Sequence, residues 1–185
     1  MSFTGFFLLF LLSVVVVKIK VFRTRGAPGG RMSDNWTFPV LFASYLISVM
    51  GALVEYFGRM PDVNLWVSVP GYVLATCGVA INGWSVRALG PWWSARIEIK
   101  RGHRVVEAGP YRFSRHPYYL ATLLELGGLA LILNSFYTLC YVFLVHTPLL
   151  AARILYEERV LLANLGNSYR SYRERVGIIP GMVSR

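Results

Sequence analysis

Long apolar runs separated by short polar breaks run through most of the chain. Phe3 to Val17 is interrupted only by Thr4, Gly5 and Ser13. Extended to Phe22 by lysines that can snorkel toward water, it is long enough to cross a hydrocarbon core of about 30 Å. Glycine and proline between Arg23 and Arg31 cannot continue a helix, which predicts a loop. A second span is expected over 38–57, with Pro39 tolerated near its start and Trp36 and Tyr56 at the interfaces. After a short turn over 59–64, a third is expected over 65–89, flanked by Trp66 and Trp84. It would kink at Pro70-Gly71, carry the lone polar Asn82 and end at Gly90-Pro91.

Residues 92–115 are the only extended polar segment. Ala95 to Lys100 alternates like a strand before a turn at Arg101-Gly102, which predicts a short hairpin or cap. An apolar hairpin follows. Pro117 suits the first helical position, making His116 the expected cap of an arm over 117–133. Asn134-Ser135 breaks the pattern, and a return arm over 136–156 brings Arg153, Glu157 and Glu158 back beside His116. The first arm, about seventeen residues long, is marginal for a full crossing. Arg153 and Glu157, four apart, share a helix face that Glu158 does not. The last stretch, Arg159 to Val176, is amphipathic and breaks at Asn164 to Asn167, predicting two short helices.

With 185 residues, 55% of them hydrophobic, and a mean hydropathy of +0.49, the chain is too apolar for a soluble domain and too short for two domains. It is expected to be one all-α integral membrane domain of about five spans. The opening run has no basic leader and no small-residue cleavage site, and reads as a retained span. Cys77 and Cys140 both fall in apolar runs, where a thiol behaves as a small hydrophobe.

A formal charge of +10 raises the question of nucleic acid, and its distribution answers it. Five basic residues fall from Lys18 to Arg31, one in the second loop, seven from Arg87 to Arg115 and six from Arg153 onward. Eighteen of nineteen thus lie on one side of the expected topology. The positive-inside rule makes that side cytoplasmic, and the charge is a topology signal rather than a nucleic-acid footprint.

The cytoplasmic mouth of the hairpin would gather His116, Tyr111, Tyr118, Tyr119, Arg153 and Glu157: donors, acceptors and aromatic faces above apolar walls. That mixture suits a polar ligand meeting a lipid, and it equally describes interface residues that neutralise one another. Nucleotide and zinc signatures are absent, and His103 with His116 lacks a third ligand, so no metal is expected. Within the apolar runs, Glu125 can line the acceptor tunnel or be neutral and hydrogen-bonded to a neighbouring helix, the structural reading being favoured. His146 reads as structural, and Glu55 lies near enough to the outer interface to reach water.

His103-Arg104-Val105-Val106, Gly109-Pro110-Tyr111, Arg115-His116-Pro117-Tyr118-Tyr119, Glu157-Glu158 and a Gly166/Tyr169/Tyr172 tail occur in an order and spacing that resemble the isoprenylcysteine carboxyl methyltransferase family, over roughly residues 87 to 181. The resemblance implies a helical membrane bundle whose terminal hairpin and tail enclose S-adenosylmethionine, with a lipophilic methyl acceptor entering from the bilayer. It carries cofactor contacts onto His103, Arg104, Val105, Val106, Tyr111, His116, Pro117, Tyr118, Tyr119 and Glu157. Arg153 matches the family's substrate-side arginine. Where the family usually has glycine this chain has Ala121, expected to narrow a helix contact below the pocket. The implied activity is methyl transfer to an oxygen, a carboxylate in first place, of a lipophilic or prenylated acceptor. Phospholipid N-methylation, O-methylation of a lipophilic phenol and a non-catalytic scaffold remain as alternatives. The implied setting is a multi-pass protein among membrane lipids with its active site at the cytoplasmic face, in the cell membrane of a prokaryote or the endoplasmic reticulum of a eukaryote.

Overall fold

The computed structural model describes residues 3–23, 30–33, 36–59 and 63–182. Arg25, the Pro28-Gly29 part of the first loop, residues 60–62 of the second and Arg185 lie outside them. The elements, in order, are α1 (Phe3–Arg23), β1 (Arg31–Met32), α2 (Thr37–Gly58), α3 (Leu65–Leu89), β2 (Glu98–Ile99), α4 (Pro117–Ile132), α5 (Phe136–Tyr141), a π turn (Val142–His146), α6 (Thr147–Leu165) and α7 (Asn167–Arg175).

Four helical stretches among the described residues are long and apolar enough to cross a membrane: 3–20, 37–58, 65–92 and the continuous rod 136–165. The fifth expected span, α4, has 16 residues, about 24 Å at 1.5 Å per residue and short of the bilayer core. The return arm runs on to Leu165, beyond the expected 156, and Gly166 at φ +56° separates it from α7.

α3 and α4 form the most extensive helix pair. Their axes can approach because small residues face each other. A Cβ on Gly71 would lie 2.6 Å from the Ile132 nitrogen, and one on Gly78 would lie 2.8 Å from the carbonyl oxygen of the fully buried Ala121. Ala121 thus sits in the α3–α4 contact. Close backbone approach of this kind is what drives helix pairing in lipid, where hydrophobic burial gives no preference. Pro70 lies inside α3 without ending it. Two adjacent glycines give a test. A Cβ on Gly128 would meet the Ala75 nitrogen at 2.5 Å, whereas one on Gly127 would meet nothing within 4 Å. Gly128→Ala is therefore expected to destabilise by about 1–3 kcal/mol through overpacking, and Gly127→Ala to stabilise by about 0.4–1 kcal/mol through lost unfolded-state entropy. Thermal unfolding in detergent checks the opposite signs.

At the end away from the polar segment, Phe7, Ala52, Tyr56, Ala75, Ile132 and Leu133 make a core joining α1, α2, α3 and α4. Tyr56 is buried and hydrogen-bonded to Thr4 at 2.7 Å, so the expected interfacial tyrosine is a core residue. The hairpin turn is tied down by Asn134, at φ +53°, whose Oδ1 accepts from the Asn64 nitrogen at 2.9 Å. Glu55 does not simply reach water: it accepts from the Thr138 amide at 2.6 Å and the Tyr137 amide at 3.2 Å, capping the exposed amides of α5. His146 is buried with Nδ1 3.0 Å from Ser44 Oγ, which ties the π turn to α2. Lys18, expected to snorkel, instead reaches Glu125 at 2.7 Å, joining α1 to α4. Glu125 thus bonds to a neighbouring helix, as an ion pair with Lys18 rather than as the neutral, hydrogen-bonded carboxyl of the structural reading.

Candidate active site

The polar segment is held against the helix ends by contacts from three directions. Its strand-like residues form no hairpin with their own downstream chain. β2 pairs antiparallel with β1 of the first loop instead, Arg31 opposite Ile99. Two further bonds fix this register: the Gly30 amide donates to Glu98 Oε1 at 2.7 Å, and the Ser33 amide to the Ile97 carbonyl at 2.9 Å. Trp93 and Ile97 are buried beneath.

Gly109, at φ +61°, turns the chain where a Cβ would lie 3.0 Å from Trp84 Nε1 and from Ala88 Cβ, so glycine is required on both counts. The 3₁₀ turn 109–112 then brings in Tyr111, and Pro117 opens α4. His116 occupies the cap position, but its side chain makes no capping bond; its amide donates to Ser114 Oγ at 3.1 Å, and its imidazole turns to Glu158. The tail closes the remaining side. Tyr172 donates to the Tyr111 carbonyl at 2.6 Å, Ser114 to the Ile178 carbonyl at 2.6 Å, and the Arg115 amide to the Gly177 carbonyl at 2.9 Å.

These three supports enclose a cavity of about 130 Å³. On a scale where one water needs roughly 10–15 Å³, it admits a group of small-molecule size and no folded partner. Nine of the ten residues expected to touch a cofactor line it: His103, Arg104, Val105, Val106, Tyr111, His116, Tyr118, Tyr119 and Glu157. Pro117 does not, because its ring is buried at the start of α4. Arg153 stands one layer behind the wall, 1% exposed. Its Nη1 donates to Thr37 Oγ1 at 3.0 Å and its Nε to the Tyr119 hydroxyl at 3.4 Å. Tyr119 in turn donates to Glu157 Oε2 at 2.7 Å, so one hydroxyl links the two charged residues that share a face of α6.

Glu158 has the other fate. It is buried, with Oε1 3.2 Å from Arg115 Nε at ion-pair distance but without hydrogen-bond alignment, 3.3 Å from His116 Nε2, and Oε2 3.7 Å from Arg173. It supports the cavity wall from behind and does not line the cavity.

Sequence reasoning missed much of the lining: Trp92, Trp93, Ser94 to Ile99, Leu161, Leu165, Tyr169 and Tyr172. The strand-like alternation marked 95–100 as ordered, and the tail tyrosines were part of the resemblance, yet nothing local says that either faces a cavity. The walls are strongly aromatic. Trp92 stacks on His103 with centroids 5.2 Å apart, Trp93 lies 6.3 Å from Tyr118, and Tyr169 lies 6.0 Å from Tyr172. Such faces attract cations, and the carboxylates of Glu157 and Glu98 in the same wall do so too. Burial, followed by the nearby Glu157, pushes the Tyr111 phenol well above its ordinary range and keeps it a donor. Burial, reinforced by Lys100, holds the His103 imidazole below its ordinary value, so it is neutral at neutral pH. Two cavity-lining atoms, His103 Nδ1 and the Tyr169 hydroxyl, are buried without a hydrogen-bond partner among the described residues. Such atoms are costly unless a ligand satisfies them.

The apolar spans define an integral membrane protein, and an aromatic cavity lined by carboxylates and arginines alike lies at their end. The chain belongs to the isoprenylcysteine carboxyl methyltransferase family, whose model matches residues 70–163, and it is a membrane methyltransferase. The match begins inside α3, earlier than the resemblance at 87, and ends before α7. The chain is 26% identical to the probable protein-S-isoprenylcysteine O-methyltransferase of Oryza sativa subsp. indica, over 91% of this chain and 92% of that protein. It is also 26% identical to the protein-S-isoprenylcysteine O-methyltransferase of Saccharomyces cerevisiae, over 74% of this chain and 61% of that protein. Similarity extends to the uncharacterized protein YpbQ of Bacillus subtilis, 23% identical over 67% of this chain and 73% of the relative.

Proposed function

We propose that the protein transfers a methyl group from S-adenosylmethionine to a carboxylate oxygen of a lipophilic, prenyl-bearing acceptor, at the cytoplasmic face of its membrane. The observation that carries the proposal is the cavity itself: aromatic faces, two carboxylates and two unpartnered buried polar atoms at the end of a membrane hairpin. Those features fit a sulfonium cofactor with an amino acid end and a nucleoside end. Bound there, the cofactor would supply an already activated methyl group. Glu157 would accept from its amino or ribose donors, His103 Nδ1 and the Tyr169 hydroxyl would gain partners, and the tyrosine and tryptophan rings would face the sulfonium. The concentration of basic residues on this side supports the cytoplasmic orientation.

The chain's own task is to position the acceptor and exclude water, since alignment alone can supply about 7–11 kcal/mol of a barrier. Trp92, Tyr169 and Tyr172, which line the cavity, would help to exclude water. Arg153, reaching the cavity through Tyr119, would favour an anionic acceptor over a neutral one.

Equilibrium binding of radiolabelled S-adenosylmethionine to purified protein, followed by transfer of label to S-farnesylcysteine, tests the proposal. Binding with transfer supports it; absence of binding would sink it in favour of a scaffold, and binding with label appearing only on phospholipid amines would replace the acceptor. His103 adds a pH signature. Because its neutral form is favoured, protonation of His103 at a pKa below the ordinary 6.5 would add a positive charge to the wall of the cavity that would hold the cationic cofactor. Cofactor affinity is therefore expected to be constant above about pH 6.5 and to fall below it, and His103→Gln is expected to remove the fall.

A further inference from the structure

On the tail side of the cavity, three large apolar side chains outside the spans stay exposed: Phe113 at 57%, Ile179 at 48% and Met182 at 65%. They belong to two segments that are tied together. Ser114 donates to the Ile178 carbonyl and the Arg115 amide to the Gly177 carbonyl, so the two chains pass in opposite directions and Phe113 comes level with Ile179. Met182 is folded back onto the same place. Its amide donates to the Ile179 carbonyl at 3.1 Å, and a Cβ on Gly177 would collide with its carbonyl. Arg112, exposed as well, holds its guanidinium carbon 5.7 Å from the centroid of the Phe113 ring.

The depth of this patch is set by the 3₁₀ turn 109–112 that precedes Phe113. The turn packs on α3, where a Cβ on Gly109 would lie 3.0 Å from Trp84 Nε1. Trp84 belongs to the last two turns of α3, inside a membrane-crossing stretch, and is half exposed, the usual setting of an interfacial tryptophan. The turn thus lies beside the end of α3 rather than beyond it, which puts the patch at the level of the lipid headgroups. At that depth an apolar cluster edged by an arginine can sink its side chains toward the acyl chains and present the guanidinium fork to a phosphate.

We propose that Arg112, Phe113, Ile179 and Met182 form a membrane-interface anchor, seated among the phospholipid headgroups of the leaflet on the cavity side, and that this anchor holds the tail closed over the cavity. Tyr169 and Tyr172 of α7 line the cavity, and Tyr172 donates to the Tyr111 carbonyl, so a tail pinned at 177–182 keeps both rings in the wall. The leaflet is favoured over a second copy or a soluble partner because the patch continues the Trp84 surface at the same depth, with an arginine at its edge. The consequence for the cofactor rests on the proposed S-adenosylmethionine site, whereas the seating is measurable with no cofactor present.

The probe is a nitrobenzoxadiazole fluorophore on Ile179→Cys, in the full protein with Cys77 and Cys140, both exposed, replaced by alanine, in phosphatidylcholine nanodiscs. Its emission is expected to be quenched by lipids carrying a nitroxide at the headgroup or high on the acyl chain, less by those labelled near the chain end, and to be shielded from aqueous iodide. Phe113→Ser with Met182→Ser should open the probe to iodide and weaken S-adenosylmethionine binding about threefold, as the closed-tail population falls to about a third. Arg112→Gln should release the probe in part. These side chains are exposed, so their substitution does not threaten the fold. Quenching by iodide and not by nitroxide lipids before those substitutions would overturn the anchor. Shielding seen only in nanodiscs that hold two copies would assign the face to a second copy instead. Unchanged S-adenosylmethionine affinity in a serine variant that has lost its shielding would overturn the closure of the tail. Shallow quenching in a protein that binds no S-adenosylmethionine would retain the anchor and reject the proposed cofactor.

Discussion

Glu158→Gln is expected to cost about 3–5 kcal/mol of stability, the usual consequence of removing one partner from a buried ion pair, while Glu157→Gln should leave the fold intact and weaken cofactor binding by about tenfold. The two residues are chemically identical and adjacent, so their environments alone make the difference. Glu158 is 4% exposed and faces Arg115, itself 5% exposed, together with His116 and Arg173. Neutralising it strands the Arg115 charge inside the protein. Glu157 is half-buried in the cavity wall and accepts from Tyr119, a bond the glutamine oxygen can still accept. What glutamine cannot do is match a cationic cofactor. Thermal unfolding and S-adenosylmethionine binding, measured on both variants, separate the roles. A double replacement, Arg115→Met with Glu158→Leu, is expected to regain most of the lost stability, since apolar pairs often substitute for buried ion pairs without cost. Equal stability loss in the two single variants would show that the wall does not discriminate between them.

The helical membrane fold was legible because span length and apolar content are set by the bilayer, a constraint that acts residue by residue along the chain. The face shared by Arg153 and Glu157 was legible for a similar reason: a period of 3.6 fixes which residues align once a helix is granted. The partners of the polar segment were not. Alternation over 95–100 correctly marks extended chain, but a strand's pairing partner depends on tertiary placement, and here it is β1, more than sixty residues earlier. Lys18 misled for a related reason. A lysine near a helix end is expected to snorkel, unless a carboxylate on another helix lies within reach, and Glu125 is 107 positions away in sequence.

The largest effect on catalysis is expected at Arg153. Arg153→Met, which keeps much of the side-chain volume, should lower turnover far more than S-adenosylmethionine affinity, because the arginine is buried behind the cavity wall and reaches it through the Tyr119 hydroxyl. A Lys replacement would keep charge but lose the geometry that bonds Thr37 and Tyr119 together. With saturating cofactor, the rate on a carboxylate acceptor should be nearly flat from about pH 6 to 9, because an α-carboxyl with a pKa of about 3.3–3.7 is already anionic throughout. No general base is then required, which agrees with Glu158 being held by three basic side chains and with His116 Nε2 being turned toward it. A phenolic acceptor has a pKa near 10 and would need either a base or a stabilised oxyanion. Its rate would climb about tenfold per pH unit over the same range. Such a climb in the wild type would replace the carboxylate by a hydroxyl acceptor, and loss of cofactor affinity in Arg153→Met equal to its loss of turnover would move Arg153 into the cofactor site.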